Sequence, residues 1–170
     1  MNDPPVKHRL TAILAADAAG FSRLMAVDDG ATVSALDAAR SVFRQQIEAH
    51  QGRVIDMAGD SVLAVFETAG GAVEAAQATQ QRLASAAAGV APERRMRFRI
   101  GVHLGDVVEK EDGSVYGDGV NVAARLQGLA EPGGIIVSDA VRGVVRGRVG
   151  AAFADRGEQL LFLGEPRQQR

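Results

Sequence analysis

Two carboxylates, one asparagine and one arginine stand in positions from which they could do chemistry. Asp17 closes the apolar run Leu10 to Ala16 and is followed by Ala18-Ala19-Gly20-Phe21-Ser22, and Asp60 sits in Ala58-Gly59-Asp60-Ser61 between two short β-type runs. Neighbouring strands of one sheet could carry both to the same edge. A pair of carboxylates there forms a hard oxygen site suited to Mg²⁺ or Mn²⁺, which share their coordination with substrate phosphates. Each residue alone also has a plain explanation: Asp17 can cap the turn into Gly20, and Asp60 can be a turn residue that tolerates left-handed backbone. Asn121 and Arg125, in Gly117-Asp118-Gly119-Val120-Asn121-Val122-Ala123-Ala124-Arg125, are four apart and share one face of a helix. An arginine on a helix is most often a solvated surface residue.

The elements that must hold these groups follow from periodicity and turn chemistry. Leu10 to Ala16 reads as a continuous apolar strand, and Asp29-Gly30 opens a helical pattern of Val33, Leu36, Val42, Phe43 and Ile47 that ends near His50-Gln51-Gly52. Val54 to Met57 and Val62 to Phe66 form a hairpin joined at a two-residue Gly59-Asp60 turn, which places Asp60 at its tip. The alanine-rich stretch Ala69 to Ala88 is a helix with Val73, Ala76, Thr79, Gln80 and Leu83 on one face. Pro92 breaks the chain before the alternating strand Met96 to Val102. Glu111-Asp112-Gly113-Ser114 is a turn, Asp118 to Leu129 a helix burying Val122, Leu126 and Leu129, Ile135 to Val137 a short strand, and Phe153 to Leu163 a weak hairpin. This interleaving suits an α+β sandwich, an antiparallel sheet with helices on one side.

The 170 residues fit a single domain able to bury a core, and 46% hydrophobic with 24% charged residues and a net charge of -2 describe a globule without a global pull toward nucleic acid or membrane. An anionic ligand therefore needs a local site. The absence of cysteine excludes disulfides and thiolate metal sites. The basic stripes Arg94, Arg95, Arg97, Arg99 and Arg142, Arg146, Arg148 come without an excess of base over acid in the chain and read as solvated faces, so no nucleic-acid partner is expected. His103 is expected to be packed or hydrogen-bonded within a strand. No apolar run approaches the roughly 18 residues of a membrane span, so the domain is expected to be cytoplasmic without direct membrane insertion, whether or not a longer parent protein is membrane-associated.

Taken together and in this order, the Asp17, Asp60 and Asn121/Arg125 motifs resemble the catalytic domain of the class III nucleotidyl cyclases, over about residues 9 to 163, with short tails at 1–8 and 164–170. The resemblance implies a ferredoxin-like sandwich that converts a nucleoside triphosphate to the 3′,5′-cyclic monophosphate and pyrophosphate at a homodimer interface. Two divalent cations, Mg²⁺ or Mn²⁺, would be held by Asp17, the Ala18 carbonyl and Asp60, with amides around Ala19, Gly20, Phe21 and Ser22 cradling the triphosphate. Asn121 would orient the ribose and Arg125 would stabilise charge on the α-phosphate. One chain would supply the metal aspartates and the other the base readers, the asparagine and the arginine. The base-reading positions depart from the adenylate pattern: Asp56 stands where a lysine is usual, and Ser114 where an aspartate or threonine is usual. An ionised Asp56 only accepts hydrogen bonds, which suits guanine N1–H and N2–H₂ with Ser114 donating to O6, or adenine N6–H₂ with Ser114 donating to N1. ATP is favoured and GTP stays open. Phe162 replaces a phosphate-binding lysine, for which Arg156 could substitute. These departures define the alternative, a degenerate cyclase domain that binds nucleotide or dimerises to regulate a partner.

Overall fold

The computed structural model describes residues 5–147. The expected hairpin Phe153 to Leu163, the positions Arg148, Arg156 and Phe162, and the tail 164–170 lie outside them.

The central strand is β1 (Val6–Ala18), with β3 (Ser61–Phe66) on one side and β4 (Phe98–Lys110) on the other, both antiparallel. Strand β2 (Gly52–Asp56) extends the sheet beyond β3, and β5 (Val115–Tyr116) and β6 (Ile135–Val137) both pair with β4, the latter in parallel. The strand begins earlier than the apolar run indicates, because Val6 to Arg9, most of it expected as tail, pairs with Val107 to Lys110.

Thr11 to Ala16 are buried without alternation because helices cover both faces of β1. On one face α2 (Asp29–Ala49) and α3 (Ala69–Ala86) pack Leu36, Phe43, Ile47, Val73 and Ala76 against Leu14, Ala16, Ile100 and Val102. Phe43 meets Phe98 edge-to-face at 5.0 Å between ring centroids. The helix α5 (Asp139–Val145), which the sequence pattern does not announce, adds Val141 and Val145 to this core.

The helix α4 (Asp118–Leu129) lies on the opposite face, over Ile13, Ala15 and Val107. This corrects the expectation of helices on one side only. Its buried residues are Gly119, Ala123 and Leu126, whereas Leu129 is exposed. Glycines allow the close approach. A Cβ at Gly101 would lie 2.6 Å from the Ala123 carbonyl oxygen, and one at Gly119 the same distance from the Asp106 carbonyl oxygen. Backbone thus sits almost directly on backbone.

The sheet curls strongly, so its two edges meet across this second face. Arg53 of β2 donates to the Gly113 carbonyl at 3.1 Å and to Glu109 Oε2 at 2.9 Å, while Arg9 pairs with Glu109 Oε1 at 2.9 Å. A cavity of about 300 Å³ lies under this clasp, walled by Arg9, Arg53 and Glu109 and floored by Thr11, Val65 and Val107.

Candidate active site

The antiparallel register puts Asp17 directly opposite Ser61 on β3 and Arg99 on β4. Side chains of this row share the face that carries α4. The helix covers Gly101 through its C-terminal half, and the Ser61-Asp17-Arg99 row lies two residues beyond. The β2–β3 loop carries Asp60 to the same end. Its carboxylate accepts a hydrogen bond from the Ala18 amide at 3.2 Å. Asp17, Ala18 and Asp60 are therefore brought together, as their spacing in two strand ends suggests.

The loop is not the expected two-residue turn. Four residues separate β2 from β3, with a register shift between Val54 and Asp56. Arg40 of α2 holds it from outside, donating to the Met57 carbonyl at 3.1 Å and to the Gly59 carbonyl. No local signal in the sequence connects Arg40 with Asp60.

After β1 the chain turns at Gly20, whose φ of 65° is the left-handed conformation that glycine adopts without strain, and enters α1 (Phe21–Val27). The first-turn amides of Phe21, Ser22 and Arg23 have no intrahelical acceptor, and the helix has no side-chain cap. Ala19 differs from the expectation: its amide donates to the Arg97 carbonyl at 2.8 Å and is not available to a phosphate.

Arg99, expected in a solvated stripe, is instead the direct partner of Asp17. Its Nε and Nη2 reach Oδ1 and Oδ2 at 3.2 and 3.3 Å, and both side chains are about 70% covered. The two carboxylates with the adjoining backbone form an all-oxygen donor set, which fits a hard divalent cation, and the described residues hold no cluster of three or more His, Asp or Glu groups. A cation brought to Asp17 would meet the guanidinium there.

Asp56 ends β2 on the exposed side and Ser114 lies in the turn before β5. The Arg53 to Gly113 hydrogen bond brings these two segments toward each other across the curled sheet. Ser114 donates its amide at 2.9 Å and its hydroxyl at 2.6 Å to one oxygen of Asp112. The Ser114 side chain, then its amide, hold the Asp112 carboxyl below the usual carboxylate range. With its proton committed to an ionised neighbour, Ser114 offers only lone pairs to a ligand.

Asn121 and Arg125 are exposed on α4, and the partners of the two carboxylates are Arg99 and the Ala18 amide, not these residues. His103 is packed as expected, with its Nδ1 unpartnered among the described residues and its pKa lowered by burial.

A family model described as the adenylate and guanylate cyclase catalytic domain matches residues 5–168. The chain is 46% identical over 153 residues to a putative adenylate cyclase of Rhizobium meliloti, covering 89% of this chain and 26% of that protein. Among solved structures it is similar to an adenylate/guanylate cyclase/hydrolase from Silicibacter pomeroyi, with 39% identity, a TM-score of 0.83 and coverage of 90% of this chain and 89% of that one. An adenylyl cyclase from P. aeruginosa, at 20% identity, a TM-score of 0.71 and coverage of 83% and 82%, shares the fold.

Proposed function

This chain belongs to the adenylate and guanylate cyclase catalytic-domain family, and on that premise we propose that it cyclises a nucleoside triphosphate, ATP in preference to GTP, to the 3′,5′-cyclic monophosphate with release of pyrophosphate. The observation that carries the reading is the convergence of Asp17 and Asp60 at one end of the sheet, where the Ala18 amide ties Asp60 to the last residues of β1.

Asp17, Asp60 and the Ala18 carbonyl would hold two divalent cations. Such ions lower the pKa of the ribose 3′-hydroxyl and neutralise the triphosphate. The open amides of Phe21 and Ser22 face an anion with the favourable end of α1, and the Gly20 turn lets the backbone approach it closely. The 3′-oxygen then displaces pyrophosphate in line from the α-phosphorus and its proton leaves to solvent, so positioning and charge neutralisation carry most of the catalysis. Asn121 and Arg125, exposed and not hydrogen-bonded to the carboxylates of their own chain, serve the site of a second copy. There the asparagine orients the ribose and the arginine stabilises charge on the α-phosphate. A closed twofold dimer provides two such sites.

The preference for ATP is supported by the committed proton of Ser114. As an acceptor it suits the 6-amino group of adenine and opposes the 6-oxo group of guanine. Asp56 in place of lysine favours the second reading, a domain that binds nucleotide without turning it over.

The test is purified protein with Mn²⁺ and either ATP or GTP, with the cyclic product identified by mass, beside Asp60→Asn. We expect cyclic AMP as the main product and a loss of about a thousandfold or more in Asp60→Asn with the fold retained. Full turnover in Asp60→Asn would remove the two-cation assignment. Nucleotide binding with no cyclic product would establish the regulatory reading instead.

A further inference from the structure

The ion pair on Asp17 is the least expected feature of the site. Asp17 and Arg99 are 82 residues apart in sequence and directly opposite in register. The hydrogen bond from the Ala19 amide to the Arg97 carbonyl continues the β1–β4 ladder past them, so the pairing is set by the sheet rather than by a chance rotamer. The guanidinium takes both carboxylate oxygens, the forked arrangement in which arginine binds a carboxylate most firmly. Part-burial of both partners shields the pair from the full screening of water. On the other side of the row Gly101 carries no side chain, and α4 closes over it.

We propose that Arg99 is an internal counter-ion that occupies Asp17 in the nucleotide-free protein and competes with a divalent cation for that carboxylate. The inference rests on the reading of Asp17 as a cation ligand. The physical argument is competition. A cation brought to Asp17 either replaces the guanidinium or sits beside it and is repelled by a positive charge at contact distance. In both cases the affinity for cation alone is held down. The forked ion pair keeps the carboxylate oriented until a cation arrives. Arg99 is in this sense a positioning residue for Asp17.

The experiment needs no turnover. Mn²⁺ alone is titrated into nucleotide-free protein and the free ion is followed by electron paramagnetic resonance. Arg99→Met should bind Mn²⁺ about tenfold or more tightly than the parent, the effect expected when an opposite charge in contact with a carboxylate is removed. Arg99→Gln, which keeps a polar group at the site should the methionine variant fail to fold, should also bind more tightly. Arg97→Gln removes a nearby exposed charge that does not touch Asp17 and should leave the affinity unchanged. An affinity in both folded Arg99 variants equal to or below the parent overturns the proposal, as does an equal gain in Arg97→Gln, which would reduce the effect to general electrostatics. Asp17→Asn separates the two levels of the argument. If it binds Mn²⁺ as the parent does, the cation-ligand reading fails and this inference with it. If it weakens binding while Arg99→Met does not strengthen it, only the counter-ion role falls.

Discussion

Replacing Gly101 by alanine tests how the sheet positions α4. The new Cβ would stand 2.6 Å from the Ala123 carbonyl oxygen and 2.8 Å from Leu126 Cβ. That is roughly 1 Å inside van der Waals contact. The opposing atoms include helix backbone, which cannot rotate away as a side-chain tip would, so α4 must lift. Overpacking of this kind costs about 1–3 kcal/mol, and relief of unfolded-chain entropy by alanine returns about 0.4–1 kcal/mol. The net expectation is a loss of about 1.3 kcal/mol, or a melting temperature lower by about 4 °C for a chain of this size. Gly119→Ala meets the Asp106 carbonyl oxygen at 2.6 Å and Ile13 Cδ1 at 2.8 Å and should cost a similar amount. The double variant should lose less than the sum, because a helix already lifted accommodates the second methyl. Gly128, on the same helix, has nothing within 4 Å of its would-be Cβ. Gly128→Ala should therefore stabilise, by about 0.5–1 kcal/mol. Thermal unfolding followed by circular dichroism reads all four variants. Turnover measured well below the transition should fall in Gly101→Ala and Gly119→Ala, since α4 carries Asn121 and Arg125. If Gly101→Ala melts with the parent, or Gly128→Ala loses as much as Gly101→Ala, the close-packing argument is wrong.

Two further outcomes follow from the site. Asp17→Ala and Arg125→Ala should each be nearly inactive and should regain activity when mixed, because the heterodimer has one site with both defects and one with neither; demonstrated subunit exchange without recovery refutes the shared site. His103 has a pKa below its ordinary 6.5 because burial disfavours the imidazolium. The unfolded chain then binds the proton more readily, so the contribution is present in full above pH 6.5 and is lost as the pH falls through that value toward the lowered one. Urea midpoints should drop more between about pH 7 and pH 5 in the parent than in His103→Gln, and parallel curves would exclude the effect.

Much of the secondary structure was legible because its causes are local. The Gly117-Asp118-Gly119 turn and the spacing behind it give α4 its full extent, Asp118 to Leu129, and the isolated Ile135 to Val137 is a strand as read. The continuous apolar run of β1 reports burial on both faces without saying which helices supply it. Where a local rule met a distant partner, the partner won. The hairpin between β2 and β3 forms, but a bulge and the grip of Arg40 lengthen its turn to four residues. The short helices α1 and α5 carry too few residues for a periodic signal; packing holds both, with a Ser138 cap added in α5.

The candidate site residues divide in the same way. Asp17, Asp60, Asn121 and Arg125 stand out by residue type, turn context and spacing, all of which act over a few positions of chain. Arg99 has no such mark, since in sequence it is one arginine among four between residues 94 and 99. Strand pairing across 82 residues makes it the partner of Asp17, and the same register decides that the row faces α4 rather than the α2–α3 core. Likewise Ser114 supplies a hydroxyl, but the turn that places Asp112 beside it decides that the hydroxyl donates to that carboxylate. Composition, turn chemistry and hydrophobic period are properties of short segments and survive in the unfolded string. Register, the face a helix takes and the counter-ion of a carboxylate exist only after long-range pairing has closed, and in this protein those three set the electrostatics of the site.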